Sequence, residues 1–156
     1  MIETCRGALN LEGVVASRRV GGLILGLNDL EWEMGARSGP DREPFQPLMA
    51  HAVMAARAQK KLVFDGVCNA LDDELALERE LRQARGFGFE GKTLIHPKQI
   101  GPCNRAFSPS PEDAAWAREV VTAFDLAGHT GAVRVGGKMV ERMHLDRAKT
   151  VLAALD

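Results

Sequence analysis

Gly21 to Asn28 reads GGLILGLN, a continuous apolar run that is bounded by glycines and ends on an asparagine. A run of this kind predicts a β-strand that is buried on both faces, as in a parallel sheet. Two later segments repeat the form, Lys61 to Gly66 (KLVFDG) and Lys92 to Pro97 (KTLIHP). The three runs together predict a parallel sheet as the centre of the fold.

Segments with helical character lie before and between these runs. Leu9 to Arg18 repeats apolar residues at helical spacing, and Gln46 to Gln59 and Asp72 to Arg85 have helix-forming compositions. Met1 to Thr4 predicts a further, very short strand. Because β then α repeats at least three times, the sequence predicts an α/β fold. The proline-rich loop Ser38 to Pro47 is interpreted as a loop on the active face.

The last third of the chain follows a different pattern. Ser110 or Pro111 is expected to open a helix, because acidic residues follow in its first turn. A short hairpin is predicted around Gly136 and Gly137, and a last helix over Leu145 to Leu155. This tail is interpreted as an appendage to the α/β unit.

Composition restricts the possible partners. Twenty basic and 21 acidic residues give a net charge of -1, and aromatic residues are 5% with no tyrosine, so a nucleic-acid partner is not expected. Cys5, Cys68 and Cys103 fit neither a disulfide framework nor a zinc motif and are interpreted as reduced cytoplasmic thiols. The start of the chain has no signal-peptide pattern, and no apolar run is long enough for a membrane helix. We therefore expect a cytoplasmic protein with no membrane partner.

Four candidate positions for chemistry follow the predicted strands: Glu3, Asp29, Asp65 and His96. In parallel α/β folds the reactive groups gather at the carboxyl ends of the strands. Glu3 and Asp29 are two carboxylates at neighbouring strand ends, which is how proteins hold Mg²⁺. The alternative is that Asp29 is only a helix N-cap and Glu3 only a solvated terminal residue.

The remaining candidates also have structural alternatives. His96 and Pro97 could form an ordinary strand-to-helix turn in which His96 faces solvent, and Asp65 with Gly66 could be an ordinary turn. Glu141, between the predicted hairpin and the last helix, reads by itself as a solvated glutamate. The other histidines have no partners at ligand spacing and predict no metal site; they are His51, His129 and His144.

Taken together, the segments resemble the carboxyl-terminal part of the citrate lyase β-subunit-like (HpcH/HpaI aldolase/citrate lyase) family, which is related to malyl-CoA and citramalyl-CoA lyases. The similarity runs in the family's order across nearly the whole chain. Its most specific stretch continues from GFGFEGKTLIHPKQI to FSPSPE. The matching stretches are IETCRGALN (2–10), LILGLNDLEWEMGA (23–36), FDGVCNALDD (64–73), GFGFEGKTLIHPKQIGPCNRAFSPSPEDAAWAREVV (86–121) and GAVRVGGKMVERMHLDRA (131–148).

The resemblance implies a fold and an assembly. Family members are eight-stranded α/β (TIM) barrels with a carboxyl-terminal extension, usually trimers or assemblies of trimers. Residues 1–109 would then be the carboxyl-terminal half of such a barrel, with about four βα units. Residues 110–156 would be a helical extension or lid that reaches a neighbouring subunit.

The resemblance also implies site residues. Glu3 and Asp29 match the family's two magnesium-ligand positions, and His96 and Pro97 match the segment beside the acyl-thioester site. Glu141, in GKMVE, matches the position of the family's catalytic aspartate, which one subunit donates to the next barrel. The family's first four strands have no counterpart here, and neither does an arginine that steadies the substrate.

The implied reaction is a magnesium-dependent cleavage of a carbon–carbon bond in a 3-hydroxyacyl-CoA thioester, giving an acyl thioester and an oxo-acid. One alternative is a catalytically silent half-barrel that assembles with itself or with a missing amino-terminal half. Another is a subunit that acts on acyl-carrier-protein thioesters. Because half a barrel leaves strand edges open, we expect that the chain alone is not a stable monomer. Because the arginine that steadies the substrate has no counterpart here, we also expect the chain alone to be inactive as a lyase.

Overall fold

Three short parallel strands form the sheet at the centre of the first unit. The computed structural model describes residues 1–128 and 131–155, and it divides into the units Met1–Phe107 and Ser108–Asp156. The elements of the first unit are α1 (Cys5–Leu9), α2 (Leu11–Ala16), β1 (Gly22–Ile24), α3 (Leu27–Met34), α4 (Gln46–Ala58), β2 (Leu62–Asp65), α5 (Glu74–Phe87), β3 (Gly91–Lys92) and α6 (Ile100–Phe107), with 3₁₀ turns at Glu43–Phe45 and Pro97–Gln99.

The strands pair in the order β1-β2-β3, and every pair is parallel. Ile2 adds a single parallel bridge to Leu25: its N–H donates to the carbonyl of Ile24 at 2.8 Å, and its carbonyl accepts from Gly26 N–H at 2.8 Å. The α/β fold is therefore confirmed, with a small sheet among mostly helical elements. The predicted strand at the amino terminus is present as this one bridge.

The prediction that the first strand is buried on both faces is wrong. Leu23 and Leu25 are buried, as is Val63 on β2, whereas Ile24 and Phe64 are half-buried. Successive side chains of a strand point to opposite faces of the sheet. One face therefore packs into the main hydrophobic core with α2 and α4, and the other face is less covered.

Three local predictions also need correction. The helix expected over Leu9 to Arg18 is shorter than predicted: α2 covers Leu11–Ala16, and Leu9 ends the separate helix α1. The third strand is shorter than predicted: β3 ends at Lys92, although Thr93 N–H still donates to the carbonyl of Asp65 at 3.0 Å. Helix α5 runs to Phe87, two residues beyond the predicted segment, and ends on Gly88 with φ of 99°.

The second unit contains α7 (Pro111–Leu126), β4 (Val133–Val135), β5 (Lys138–Val140) and α8 (Arg142–Ala153). Ser110 is the N-cap of α7, and Asp113 completes a reciprocal capping box, so the predicted helix start is confirmed. The hairpin is also confirmed, with Gly136 and Gly137 at φ of 55° and 79° between antiparallel strands. Helix α8 begins three residues before the predicted Leu145. Among the described residues, no helix has the length and apolar character needed to cross a membrane.

Candidate functional site

Glu3 and Asp29 line one open cleft at the carboxyl end of the sheet. Glu3 directly follows the bridging residue Ile2, and Asp29 lies in the first turn of α3, which follows β1. Gly26 keeps these two elements close, because a Cβ atom at Gly26 would stand 2.5 Å from Cβ of Glu3. The cleft, here called the acidic cleft, is lined by Glu3, Thr4, Asp29, Trp32 and Glu33.

The helix-cap alternative for Asp29 is wrong, because Gly26 holds the N-cap position of α3 and Asp29 lies inside the helix. A carboxylate in the first turn of a helix is favoured by the helix dipole. Glu3 and Asp29 are both exposed to solvent. Oε2 of Glu33 accepts a hydrogen bond from Cys5 N–H at 2.8 Å, which fixes the third carboxylate of the cleft.

The donor set of the acidic cleft fits Mg²⁺. This ion is usually held by one or two carboxylates, with water and substrate oxygens completing the octahedron. Within residues 1–128 and 131–155, no group of three or more His, Cys, Asp or Glu side chains is arranged to enclose a metal. Glu3 and Asp29 would therefore supply a partial, open site and not a closed structural one.

A second acidic group, Asp65, lies at the end of β2 in a different environment. The turn interpretation is incomplete: Oδ1 of Asp65 does accept from Gly66 N–H at 2.8 Å, but the side chain is fully buried. Arg42 Nη1 lies 2.8 Å from its Oδ2, and Lys92 Nζ lies 2.8 Å from the same oxygen. Asp65, Arg42, Lys92 and Glu80 are here called the buried ion network.

Glu80 closes this network from helix α5. Its Oε2 lies 2.6 Å from Lys92 Nζ and forms an ion pair with it, but among the described residues this oxygen has no partner with the geometry of a hydrogen bond. Burial raises the pKa of the nearby Cys68 thiol, and Glu80 raises it further. Arg42 adopts φ of 51°, an unusual conformation for a residue other than glycine. The network therefore holds the backbone of the proline-rich loop in a conformation that it would not prefer alone.

Two polar contacts connect helix α3 to the surrounding loops. The amides of Asn28 and Asn69 donate to each other at 3.1 and 2.7 Å, joining the first turn of α3 to the loop after β2. Ser38 donates to Oε1 of Glu31 from its backbone N–H at 2.7 Å and from its hydroxyl at 2.8 Å. These bonds lower the pKa of Glu31. Both contacts restrain the helix that carries Asp29.

His96 and Pro97 form the turn that follows β3. His96 is the N-cap of the 3₁₀ turn, and its Nδ1 accepts from Lys98 N–H at 3.1 Å. The ordinary strand-to-helix turn that the sequence allowed is therefore present, and His96, which is half-buried, caps it. Because Nδ1 accepts, the neutral ring carries its proton on Nε2. Pro97 takes the first helical position, as the sequence predicts.

Glu141 lies in the second unit, directly after β5, as the exposed N-cap residue of α8. Its backbone N–H donates to Nδ1 of His144 at 3.0 Å, so that histidine acts as a capping group.

His51 contacts Glu12 at 3.2 Å on the helical surface. His129 lies outside the described residues.

Sequence reasoning missed the buried ion network. Arg42 lies in a loop rich in proline, and Lys92 and Glu80 are charged residues of the kind usually found on the surface. Nothing in their spacing along the chain predicts that they are buried. The one signal was a carboxylate, Asp65, at the end of an apolar strand. Such a residue is buried only when it is paired.

The chain belongs to the HpcH/HpaI aldolase/citrate lyase family, whose model matches residues 1–97. It is 42% identical to a (3S)-malyl-CoA thioesterase of Cereibacter sphaeroides, over 98% of this chain and 54% of that protein. It is 32% identical to a citrate lyase subunit beta-like protein of Mycobacterium tuberculosis, over 97% of this chain and 57% of that protein.

A solved structure has the same fold. The protein CitE of Mycobacterium tuberculosis, in complex with magnesium, acetoacetate and coenzyme A, superposes with a TM-score of 0.84 at 32% identity. The match covers 97% of this chain and 58% of that one. The chain thus spans about half the length of the curated relatives it matches.

Proposed function

We propose that this chain is the part of a magnesium-dependent carbon–carbon lyase that holds the metal. The observation that carries the proposal is the acidic cleft, which Glu3 and Asp29 both line, one directly after the bridging residue Ile2 and the other in the first turn of the helix that follows β1. Open carboxylates at this edge are the ligands that Mg²⁺ uses in substrate-binding sites. The relative crystallised with magnesium, acetoacetate and coenzyme A supports the same chemistry.

The proposed substrate is a 3-hydroxyacyl-CoA thioester. In the cleavage direction the hydroxyl proton passes to water, the carbon–carbon bond breaks to give an oxo-acid, and the electron pair passes to the α-carbon of the acyl thioester, which then takes up a proton. Bound Mg²⁺ would supply charge neutralisation at the oxo-acid oxygens. Glu3 and Asp29 would hold and orient that ion, and His96 and Pro97 would border the thioester.

Glu141 would carry the proton at the α-carbon of the thioester. In this proposal residues 1–109 are half of an eight-stranded barrel, and the tail over 110–156 brings Glu141 to the site of a neighbouring subunit. A homotrimer in the cytoplasm fits this arrangement. The exposed position of Glu141 at the start of α8 supports it, because the carboxylate is accessible to a second molecule.

Metal binding by the 156-residue chain tests the proposal directly. We expect Mn²⁺, used as a spectroscopic substitute for Mg²⁺, to bind in competition with Mg²⁺. Glu3→Gln or Asp29→Asn should weaken that binding by at least about tenfold, because each removes one of two charged ligands. Asp72→Asn makes the same charge change on an exposed residue outside the cleft and should leave the affinity within about twofold. Equal effects of all three variants would refute the site.

A second candidate activity is thioester hydrolysis, because the relative at 42% identity is a (3S)-malyl-CoA thioesterase. A lyase turns malyl-CoA into an acetyl thioester and an oxo-acid, whereas a thioesterase releases malate and the free thiol. Product analysis of a chimera in which the amino-terminal half of that relative precedes this chain separates the two. Thiol release without oxo-acid would replace the lyase proposal by the thioesterase.

The same chimera tests Glu141. General acid–base catalysis contributes about 10²- to 10⁴-fold to a rate, so Glu141→Gln should lower kcat by that factor with little change in thioester affinity. Glu141→Asp should retain or raise turnover, because it places the family's residue at this position. Glu112→Gln is the matched control on the exposed surface of α7. A Glu141→Gln chimera as active as its parent would show that the residue is a surface glutamate.

The assembly has its own test. Sedimentation of the 156-residue chain should show self-association, because the less covered face of the sheet and its open strand edges favour contact with another chain. The same sample should lack lyase activity. A monodisperse and active monomer would overturn the half-barrel proposal, and inactive assemblies in both the chain and the chimera would favour the catalytically silent alternative.

A further inference from the structure

A second cleft lies between helices α5 and α6, and its charge is opposite to that of the acidic cleft. Its cationic residues are Arg82 and Arg85 on α5 and Arg105 on α6, and its one acidic residue is Glu78. The cleft, here called the arginine cleft, has a volume of about 370 Å³. This volume falls within the range of small-molecule sites. It has no lining residue in common with the acidic cleft.

The three arginines of this cleft are not equivalent. Arg85 Nη1 donates to the carbonyl of Ala106, which ties α5 to the last turn of α6. Among the described residues, Arg82 and Arg105 form no ion pair with an acidic side chain, and both are exposed. Two guanidinium groups on facing helices are therefore available to an anion.

Gly101 makes room for one of these groups. A Cβ atom at Gly101 would lie 3.3 Å from Nη1 of Arg105, which is closer than most side-chain contacts. The guanidinium of Arg105 is thus folded back over the first turn of α6, beside Pro102. Leu81, Pro102 and Ala106 give the cleft an apolar floor between the charged groups.

We infer that the arginine cleft binds a phosphate group, either free pyrophosphate or the phosphate of an organic ester such as a nucleotide. The guanidinium fork presents two parallel N–H donors that match the oxygens of a phosphate, which an ammonium does not. Arg82 and Arg105 together carry more positive charge than Glu78 offsets, and in a concave site this field attracts an anion. The inference concerns a site separate from the acidic cleft and does not depend on the proposed lyase activity.

Calorimetric titration of the 156-residue chain with pyrophosphate, without added divalent metal and at constant ionic strength, tests the inference. We expect saturable binding with a Kd of about 1 mM or tighter. A parallel titration with AMP separates the two sources, since a nucleotide site would prefer AMP and an inorganic-anion site would prefer pyrophosphate. Binding of either ligand should also raise the Tm of the chain.

Four variants make the test specific. Arg82→Gln with Arg105→Gln should weaken binding by about tenfold or more, because each change removes a charge-assisted contact. Arg18→Gln with Arg19→Gln makes the same charge change on exposed residues that do not line the arginine cleft, and the affinity should stay within about twofold of the parent. Glu78→Gln should tighten binding. Gly101→Ala should weaken it without changing any charge, because the added methyl displaces Arg105.

Three results would overturn the inference. The first is an absence of saturable binding of both ligands to the parent chain. The second is an equal loss of affinity in the two arginine double variants, which would assign the effect to net charge. The third is an affinity for both ligands that stays unchanged in the Gly101→Ala variant and also in the double variant Arg82→Gln/Arg105→Gln.

Discussion

Two acidic sites lie at the carboxyl ends of the parallel strands, and they differ in the charges around them. Asp65 is fully buried, with Arg42 and Lys92 each within 3 Å of its oxygens. Glu3 and Asp29 are exposed and share their cleft with another carboxylate, Glu33. Charges that neutralise one another hold the fold together, whereas carboxylates without a neighbouring cation can take one from solution. Both sites lie at strand ends, so the neighbouring side chains decide whether a carboxylate stabilises the fold or is open to a metal ion.

The largest expected effect comes from removing the charge of Asp65. Asp65→Asn leaves the buried cations of Arg42 and Lys92 with one carboxylate, Glu80, in place of two, and we expect the free energy of unfolding to fall by about 3 to 5 kcal/mol. Urea unfolding measures this change. The corresponding exposed variant, Asp29→Asn, should change the stability by less than about 1 kcal/mol. Equal losses in the two variants would remove the distinction between the sites.

An intermediate effect on stability is expected at Gly26, whose backbone lies against the side chain of Glu3. Gly26→Ala brings a methyl group into contact with Glu3, because the added Cβ would stand 2.5 Å from that residue's own Cβ. We expect a loss of about 1 to 3 kcal/mol in stability and a weaker Mn²⁺ affinity. Gly21→Ala is the control, since its added Cβ has open space around it. Unaltered metal affinity in Gly26→Ala would show that the cleft does not depend on this close approach.

The smallest effect concerns Glu31, which belongs to neither acidic site. Its pKa is lowered in the folded state by the hydrogen bonds from Ser38, so the stabilisation is present above the ordinary carboxyl pKa and is lost as the pH falls through the folded value. We expect Glu31→Gln to lower the free energy of unfolding by about 1 kcal/mol at neutral pH. The difference from the parent should shrink in acid, measured by urea unfolding across the acidic range.

Ser38→Ala sharpens the same prediction. It removes the hydroxyl donor but keeps the backbone N–H, which is the larger cause of the lowered pKa of Glu31. The loss of stability at neutral pH should therefore be smaller than in Glu31→Gln. If the difference in the free energy of unfolding between the parent and Glu31→Gln grew in acid, the assigned direction of the Glu31 pKa shift would be contradicted.

Local patterns in the sequence were enough to predict the α/β class, the order of strands and helices, the capped start of α7 and the glycine turn of the hairpin. These depend on patterns within a few residues, such as continuous apolar runs, Ser110 before Pro111, and paired glycines. The sequence also placed Glu3 and Asp29 at strand ends. Their roles as magnesium ligands, with that of Glu141, rest on the family resemblance and remain predictions.

Which strand-end carboxylate is buried depends on tertiary contacts that no local pattern reports. Arg42, Asp65 and Lys92 are far apart in the chain, and their contact depends on the pairing of β2 with β3 and on the path of the proline-rich loop. The close approach of Gly26 to Glu3 depends in the same way on the bridge from Ile2 to Leu25. Local sequence patterns report the conformation of each segment, but the charge around a carboxylate is set by residues that only folding brings to it.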